Sequence, residues 1–331
     1  MTARRDALDA IAHRTPSRVP YDLQFTAEAR RKMAEFYGDD RFEAKLGGCL
    51  TIARVGMRRN VGPDLWEDEF GVLWDRSRDR DIGIPANRLI TPETLPAYRM
   101  PDPDESLLCA EVEAAVQQRH DTLVVVKFSY NLFERAWSLV GLDELLMAMV
   151  TDPPLVHTLL DRLTDYYLRL IERVTAYPVD AVLFGDDWGS QRGLLMGPAH
   201  WRAFLKPRVA ELYRAVRRRG GLVFLHCCGK VQELLPELIE CGLDVLNPFQ
   251  PEVMDVAEMK RLHGDRLTFY GGISTQQTLP RGNVAQTRDE VRRLLDLFHE
   301  GGGCIAAPAH AIPGDARPEN IAAMIDVLRT Q

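Results

Sequence analysis

Eight apolar, often β-branched runs alternate with amphipathic helical patterns along the 331-residue chain, and this alternation restricts the fold more than any other sequence feature. Short apolar runs separated by helical patterns are typical of parallel strands joined by covering helices. We predict strands at residues 19–23, 50–55, 123–128, 181–185, 222–226, 243–247, 267–271 and 304–309. Eight strands with helical crossovers predict an α/β fold, a closed (β/α)8 barrel of the TIM type.

The segments that connect the predicted strands have recognisable patterns of their own. Amphipathic helices are predicted at residues 153–175, 198–219, 231–241, 256–263 and 284–300. One segment interrupts the alternation, because residues 66–75 and 84–90 read as two strands joined by the charged turn 77–81. We therefore expect a β-hairpin between barrel strands two and three, which either covers the barrel mouth or is a plain surface hairpin. The sequence has no repeat, low-complexity tract or long linker, so residues 1–331 are predicted to form a single domain.

Composition and charge restrict the partners. The net charge of −7 gives no overall basic field that would attract nucleic acid or an anionic membrane surface. The first residues are charged where a secretory signal needs an apolar region, and no apolar run reaches the length of a membrane span. The six scattered cysteines do not resemble a disulfide framework. We therefore expect a cytoplasmic protein with reduced thiols, no nucleic-acid partner and no membrane partner.

The predicted fifth strand carries the strongest candidate site. In such a barrel the functional residues follow the carboxyl ends of the strands. His226 ends this strand and Cys228 follows two residues later. Residues i and i+2 of an extended chain point to the same side, so both side chains can converge on one ion while Cys227 faces away. Imidazole and thiolate are ligands that zinc prefers. The alternative is a buried histidine beside two inert core thiols.

The predicted eighth strand offers two candidates for a third ligand. Cys304 follows three glycines and begins the strand, whereas His310 follows its end. Six strand residues span roughly 20 Å, so the two side chains lie at opposite ends of the barrel. Only His310 is then level with His226 and Cys228, and we reject Cys304. Three protein ligands leave a fourth position for water, substrate or a nearby carboxylate, which is the arrangement of catalytic zinc rather than structural zinc.

Two carboxylates, Asp186 and Asp187, follow the predicted fourth strand. Paired carboxylates at a barrel mouth can act as metal ligand, base or binding group. The alternative is that they cap a helix or lie in a solvated turn, because aspartate before a helix commonly caps it. Either carboxylate is also a candidate for the fourth metal position.

Five further residues near strand ends are predicted to bind the substrate. Trp188 and Gln191 lie in the loop after the fourth strand. The sixth strand ends at Asn247, and Gln250 lies in the rigid polar loop that follows. The seventh strand ends in a glycine pair that includes Gly272, where the missing side chain would let the backbone approach a ligand closely.

Several of these motifs resemble the uroporphyrinogen decarboxylase superfamily. They read His-Cys-Cys-Gly at 226–229, Asn-Pro-Phe-Gln-Pro at 247–251, Tyr-Gly-Gly-Ile at 270–273, Ala-Pro-Ala-His at 307–310, Arg-Pro-Glu-Asn-Ile at 317–321, Asp-Asp-Trp-Gly at 186–189 and Phe-Glu-Arg-Ala-Trp at 133–137. The similarity covers most of the chain and is strongest from about residue 123 onward. The resemblance implies a (β/α)8 barrel with its site at this mouth. It also implies one of two chemistries: metal-free decarboxylation of a porphyrinogen, or zinc-dependent methyl transfer to or from a corrinoid protein.

Two features favour the methyltransferase branch. The decarboxylases carry an arginine-rich motif after the first strand, whereas residues 20–26 here read Pro-Tyr-Asp-Leu-Gln-Phe-Thr. Asp22 and the two carboxylates after the fourth strand would repel a substrate with many carboxylates. The His-x-Cys-Gly sequence is similar to the metal motif of the methyltransferases, although those enzymes often have cysteine where this chain has His310.

The sequence therefore predicts a zinc-dependent methyltransferase that moves a methyl group between a small methylated compound, for example an aryl methyl ether, and a corrinoid protein. Zinc would stabilise the anionic form of the heteroatom that carries or receives the methyl group. We assign catalytic roles to Asp186, Asp187 and Glu134, which would orient the substrate or hold a proton. The resemblance implies a corrinoid cofactor on the partner protein and is compatible with a homodimer. The alternatives are a metal-free decarboxylase of tetrapyrrole biosynthesis and a non-catalytic barrel that binds a corrinoid or tetrapyrrole.

Overall fold

A computed structural model describes residues 2–118 and 121–331 and shows two β-sheets with covering helices. The strands are β1 (Leu50–Val55), β2 (Arg58–Gly62), β3 (Leu65–Asp68), β4 (Leu73–Asp75), β5 (Ile84–Pro85), β6 (Leu123–Phe128), β7 (Ala181–Gly185), β8 (Leu222–His226), β9 (Val245–Phe249), β10 (Thr268–Ile273) and β11 (Cys304–Pro308). The large sheet has seven parallel strands in the order β1-β6-β7-β8-β9-β10-β11. Strand β6 contains three consecutive valines and is buried along nearly its whole length, as expected for a strand covered on both faces.

The register of the large sheet aligns the ends of neighbouring strands. Gly185 at the end of β7 pairs with His226 at the end of β8, and His226 pairs with Asn247 in β9. Parallel strands present their carboxyl ends on one edge of a sheet, so the residues that follow these positions meet at a common level. This register places the predicted functional residues of three strands side by side.

The first predicted strand is not a regular strand. Residues 20–25 form isolated bridges instead, in which Tyr21 pairs with Ala306 of β11. The carbonyl of Tyr21 accepts a hydrogen bond from the backbone nitrogen of Cys49 at 2.9 Å, beside β1. Pro20 has no N–H to donate, which limits ladder formation at this position. The prediction of a strand at residues 19–23 is therefore wrong, and an irregular segment contacts both edges of a curved seven-stranded sheet.

The helices surround this sheet. They are α1 (Ala3–Ile11), α2 (Ala27–Tyr37), α3 (Ala110–Gln117), α4 (Leu132–Val140), α5 (Leu142–Thr151), α6 (Pro153–Val174), α7 (Gly197–His200), α8 (Lys206–Arg218), α9 (Leu235–Cys241), α10 (Val256–His263), α11 (Thr278–Arg281), α12 (Val284–His299) and α13 (Pro318–Thr330). None of the helices in the described ranges combines the length and the apolar character that crossing a bilayer requires.

One predicted helix is interrupted. The helix expected at residues 198–219 contains the π-helical segment Trp201–Leu205 between α7 and α8. Pro207 follows this segment, and a proline cannot donate the usual hydrogen bond to the carbonyl four residues earlier. The wider π turn accommodates this missing bond.

The excursion between β1 and β6 is a four-stranded antiparallel sheet, β2-β3-β4-β5, rather than a single hairpin. Residues 66–75 contain most of β3 and all of β4, because Asp68 accepts backbone hydrogen bonds from Phe70 and Val72 and so stabilises a tight turn between them. Asp68 also accepts hydrogen bonds from Arg135 of α4 at 2.6 Å and from the Trp74 indole at 2.9 Å. This buried carboxylate connects the small sheet to helix α4.

Gly271 of β10 is a position at which the close packing of neighbouring strands can be tested by substitution. Its φ is +140°, and a Cβ at this position would lie 2.7 Å from the backbone nitrogen of Phe249 in β9. We predict that Gly271→Ala lowers the free energy of unfolding by about 2 kcal/mol or more, because the strands cannot separate without breaking the sheet. Chemical denaturation measures this change. Gly193→Ala is the matched control, since Gly193 has a φ of +150° and open space around the added Cβ. An equal loss of stability in both variants would contradict the packing argument.

Candidate active site and metal centre

The side chains of His226, Cys228 and His310 converge beyond the carboxyl ends of β8 and β11. Their potential ligand atoms all lie within 4.8 Å of one another. Nε2 of His226 lies 3.5 Å from Sγ of Cys228. A tetrahedral zinc ion with usual bond lengths would separate a nitrogen and a sulfur ligand by about 3.5 Å. The three donors therefore fit a zinc ion and leave one tetrahedral position for another ligand.

Asn247 fixes the orientation of the His226 ring. The Asn247 amide nitrogen donates to the backbone carbonyl of Tyr270 at 3.1 Å, so its oxygen faces His226. This oxygen lies 2.5 Å from Nδ1 of His226, which must therefore carry the proton and donate it. The lone pair of Nε2 then points to Cys228. A hydrogen bond to the second ring nitrogen is the usual support of a histidine metal ligand.

Burial keeps both histidines neutral. It lowers the pKa of His226 well below the usual range, and the positive charge of Lys127 lowers this pKa further. Burial also lowers the pKa of His310, although this ring is the most exposed of the three donors and faces the cavity described below. Neutral imidazole is the form that binds a metal.

Asp187 forms a hydrogen bond with the backbone of Cys228. One carboxylate oxygen of Asp187 accepts a hydrogen bond from the Cys228 backbone nitrogen at 2.7 Å. Burial raises the pKa of the Cys228 thiol, and the negative charge of Asp187 raises it further. The thiol therefore keeps its proton in the metal-free protein, and cation binding would displace this proton.

The two neighbouring carboxylates have different surroundings. Asp186 is buried and accepts backbone hydrogen bonds from Phe133 at 3.1 Å and Glu134 at 2.7 Å, in the first turn of α4. Burial raises the pKa of Asp186 to about 7. Asp187 instead lines the cavity beside the three donors. The contacts of Asp186 are those of a helix cap that positions α4.

Glu134 reaches the cavity from α4. Burial raises the pKa of Glu134 well above its ordinary value, and the nearby charges of Asp187 and Asp186 raise it further. These effects favour the protonated form of Glu134. A carboxylic acid that keeps its proton can act as a hydrogen-bond donor or a general acid.

The cavity has a volume of about 610 Å³ and opens at the carboxyl ends of the strands. Its polar lining includes groups that the sequence analysis did not assign to the site, among them Lys127, Arg54 and Arg58. The tyrosine hydroxyl of Tyr270 donates to Asp22 at 2.5 Å inside the same cavity. The lysine had a recognisable signal, because a cation within an otherwise apolar buried strand has to face a polar interior space.

The residues predicted to bind the substrate are dispersed. Asn247 lines the cavity, where it also contacts His226. Gln250 is buried, and its side-chain oxygen accepts a backbone hydrogen bond at 2.7 Å from the loop after β8. Gln191 is exposed in the loop after β7. Trp188 is only 1% exposed and packs edge-to-face on Trp201 with ring centroids 5.5 Å apart. Gln250, Gln191 and Trp188 therefore belong to the loops and do not line the cavity.

Gly272 serves the packing of the sheet against a helix. A Cβ at this position would lie 2.7 Å from Cδ1 of Leu294 in α12, on the outer side of the sheet. The expectation that Gly272 lets the backbone approach a ligand does not match this surrounding. A glycine pair in the sequence does not reveal which neighbour requires the missing side chain.

Asn247 provides a test of how the candidate metal site is oriented. We predict that Asn247→Ala weakens zinc binding by roughly 10- to 100-fold, because the His226 ring loses the acceptor that fixes its tautomer. Asn247→Asp retains an acceptor and should restore most of the affinity. Competition with a chromophoric chelator measures both constants. Unchanged affinity in Asn247→Ala would show that the ring does not depend on this hydrogen bond.

A zinc-type donor set beside a carboxylate-containing cavity, at the carboxyl edge of a parallel α/β sheet, defines the class of the site. The chain belongs to the uroporphyrinogen decarboxylase (URO-D) family, whose sequence profile matches residues 77–331. The predicted superfamily membership is thereby confirmed.

The similar proteins include decarboxylases and methyltransferases. A uroporphyrinogen decarboxylase from Methylococcus capsulatus is 27% identical over 242 residues, which cover 69% of this chain and 66% of that protein. The methylcobamide:CoM methyltransferase MtaA from Methanosarcina barkeri is 27% identical over 190 residues, which cover 57% of this chain and 53% of that protein. The chain thus spans less than two thirds of the length of these curated relatives.

A solved structure shares the whole fold. A methyltransferase from Methanosarcina mazei superimposes with a TM-score of 0.70 over 99% of this chain and 98% of that chain. The sequence identity is 18%, so this likeness concerns the architecture. The curved parallel sheet is therefore an arrangement that a methyltransferase also uses.

Proposed function

We propose that the protein is a zinc-dependent methyltransferase that moves a methyl group between a small methylated compound, for example an aryl methyl ether, and the corrinoid of a partner protein. The convergence of two imidazoles and one cysteine sulfur beside a cavity of about 610 Å³, which both histidines line, is the observation that carries this proposal. The similarity to a methylcobamide:CoM methyltransferase supports it, because that name specifies methyl transfer involving a corrinoid.

Methyl transfer from oxygen requires a good leaving group. The methyl group leaves without the bonding electron pair, which stays on the oxygen and makes it an anion. Zinc, when bound, supplies Lewis-acid stabilisation of this charge, which is worth several kcal/mol. His226, Cys228 and His310 would hold the ion, and both histidines line the cavity. Asn247 keeps the first of these rings in the tautomer that the ion needs.

Glu134 is the group that we assign to proton transfer. Burial and the neighbouring aspartates raise its pKa, which favours the protonated carboxyl group. It lines the same cavity as the metal donors. When the leaving oxygen becomes an anion, Glu134 can donate this proton and yield the neutral alcohol or phenol. In the reverse direction, Glu134 would take the proton from the acceptor. Asp187 accepts a hydrogen bond from the Cys228 backbone, and its negative charge raises the pKa of Glu134.

Removal of the donors tests the metal-dependent step. We predict that His226→Ala and Cys228→Ala each lose stoichiometric zinc and lower methyl transfer at least about 100-fold, because several kcal/mol of charge stabilisation are lost. Zinc content is measured by elemental analysis, and activity by the absorbance change of methylcobalamin with a panel of thiols and phenols. Cys241→Ala is the control for thiol removal, since this cysteine lies at the end of α9, outside the lining of the cavity. Full zinc in a His226→Ala/Cys228→Ala double variant would refute the assignment.

The pH dependence tests the role of Glu134. A proton donor works only in its protonated form, so methyl transfer from oxygen should decline as the pH rises through the raised pKa of Glu134. We predict that Glu134→Gln lowers kcat by roughly 100-fold and removes this alkaline decline, because the amide has no proton to transfer. Steady-state rates across pH measure both effects, with the exposed Glu240→Gln as control. A wild-type pH profile in Glu134→Gln would exclude this role.

A metal-free decarboxylase is the second candidate, and the similarity to the Methylococcus capsulatus decarboxylase favours it. In that case Asp187 would be the polar catalytic group, and zinc-free protein would release CO2 from a porphyrinogen. The third candidate, a non-catalytic barrel, predicts tight corrinoid or tetrapyrrole binding without turnover. The corrinoid partner, a homodimer and a cytoplasmic location stay predictions.

A further inference from the structure

Two cations face the cavity side by side. Arg54 of β1 and Lys127 of β6 are partners in the parallel register, so their side chains project from the same face of the sheet. Both line the cavity that contains the metal donors. Burial lowers the pKa of Lys127, and the nearby positive charge of Arg54 lowers it further. Lys127 is half-buried and Arg54 is exposed, and an anion between these two like charges would relieve their repulsion.

These cations have no ion-pair partner within residues 2–118 and 121–331. Other cations near the cavity are paired, since Arg30 binds Glu43 and the neighbouring Arg59 binds Glu67. Neither Lys127 nor Arg54 forms such a pair, and Arg58 at the start of β2 forms none either. Arg58 lines the same cavity and also an adjoining space of about 460 Å³.

The carboxylates nearby form hydrogen bonds with other groups. Glu111 accepts a hydrogen bond from the Arg54 backbone nitrogen at 2.9 Å rather than from its guanidinium. Asp81 accepts a hydrogen bond from the backbone nitrogen of Ala27 at 3.3 Å. Asp187 accepts a hydrogen bond from the Cys228 backbone nitrogen at 2.7 Å. Within the described part of the chain, the cavity therefore contains three cations that no carboxylate pairs directly.

We propose that Lys127, Arg54 and Arg58 form an anion subsite, and that the substrate is a small anion whose carboxylate, or an oxyacid group of similar shape, binds there. The guanidinium and ammonium groups are the donors that recognise such oxygens. This inference rests on the proposed function for the fate of the other end of the substrate, which would present its methyl-bearing atom to the metal donors.

The strand register sets the size of this substrate. Lys127 is level with Leu183 of β7, which is level with Phe224 of β8. His226 lies two residues further along β8, roughly 7 Å along the strand direction, and β8 is two strand spacings of about 4.8 Å from β6. Because the side chains of Lys127 and His226 both line the cavity, an anion of one aromatic ring, or a short aliphatic acid, is of a size to bridge them, whereas a tetrapyrrole is much larger. The subsite therefore points to a monocyclic or short-chain methylated acid.

Binding of matched pairs of compounds tests the subsite without any need for turnover. The probes are 4-methoxybenzoate with its neutral amide, and 3-(methylthio)propanoate with its neutral amide, titrated by calorimetry at low and high salt. We expect the wild-type protein to bind at least one acid about tenfold more tightly than the matched amide, because hydrogen bonds to charged groups are stronger than neutral ones. Salt should reduce this preference.

Substitutions of the three cations test which side chains cause the preference for the acid over the amide. Lys127→Met and Arg54→Gln should each reduce the ratio of acid to amide affinity to below about threefold, Arg58→Gln should reduce it less, and Lys127→Arg should retain it. Arg59→Gln is the matched control, because Arg59 follows Arg58 on the same strand and already pairs with Glu67. No preference for either acid, or a preference that survives Lys127→Met and Arg54→Gln, would overturn the proposal.

A metal-free variant separates this inference from the proposed function. His226→Ala/Cys228→Ala should lose methyl transfer yet retain the preference for the acid. Methyl transfer without any preference for the acids would leave the function standing and remove the subsite. A retained preference in a protein that transfers no methyl group would support the subsite and count against the function.

Discussion

The parallel register of the large sheet is the constraint on which the site depends. Because Gly185, His226 and Asn247 are paired across three strands, the residues that follow β7, β8 and β9 meet at one level. A shift of one residue in β8 would turn His226 and Cys228 to the other face of the sheet. The apolar runs that bury these strands therefore also determine the geometry of the donors, and the stability of the core and the arrangement of the site have a common origin.

Three acidic groups near the metal donors differ in their hydrogen bonds and in their pKa shifts. Asp186 accepts hydrogen bonds from the first turn of α4, Asp187 accepts one from the backbone of Cys228, and Glu134 lines the cavity. Burial raises the pKa of all three groups; Asp187 further raises the pKa of Asp186, and both aspartates further raise the pKa of Glu134, because several negative charges cannot share a poorly hydrated space. These effects favour the protonated form of Glu134. Asp186, whose hydrogen bonds position α4, thus also raises the pKa of Glu134, which lines the cavity.

Sequence patterns were most informative where local and global preferences agree. The strands at residues 50–55, 123–128, 181–185 and 222–226 have the predicted bounds, because continuous apolar runs are sufficient to define buried parallel strands. Residues 19–23 failed, since Pro20 cannot join a full ladder. Residues 66–75 failed as one strand, because the side chain of Asp68 stabilises a turn that the alternation of apolar residues does not reveal.

The sequence by itself determined the α/β class, the family and the spacing of His226 and Cys228, because periodicity and short motifs are local properties of the chain. Only the tertiary structure decided which side chains share a cavity. It separated Asp186 from Asp187, removed Trp188 from the cavity lining and placed Lys127 beside Arg54. The physical reason is that burial and the electrostatic environment arise from strands and helices far apart in the chain, whose packing no local pattern records.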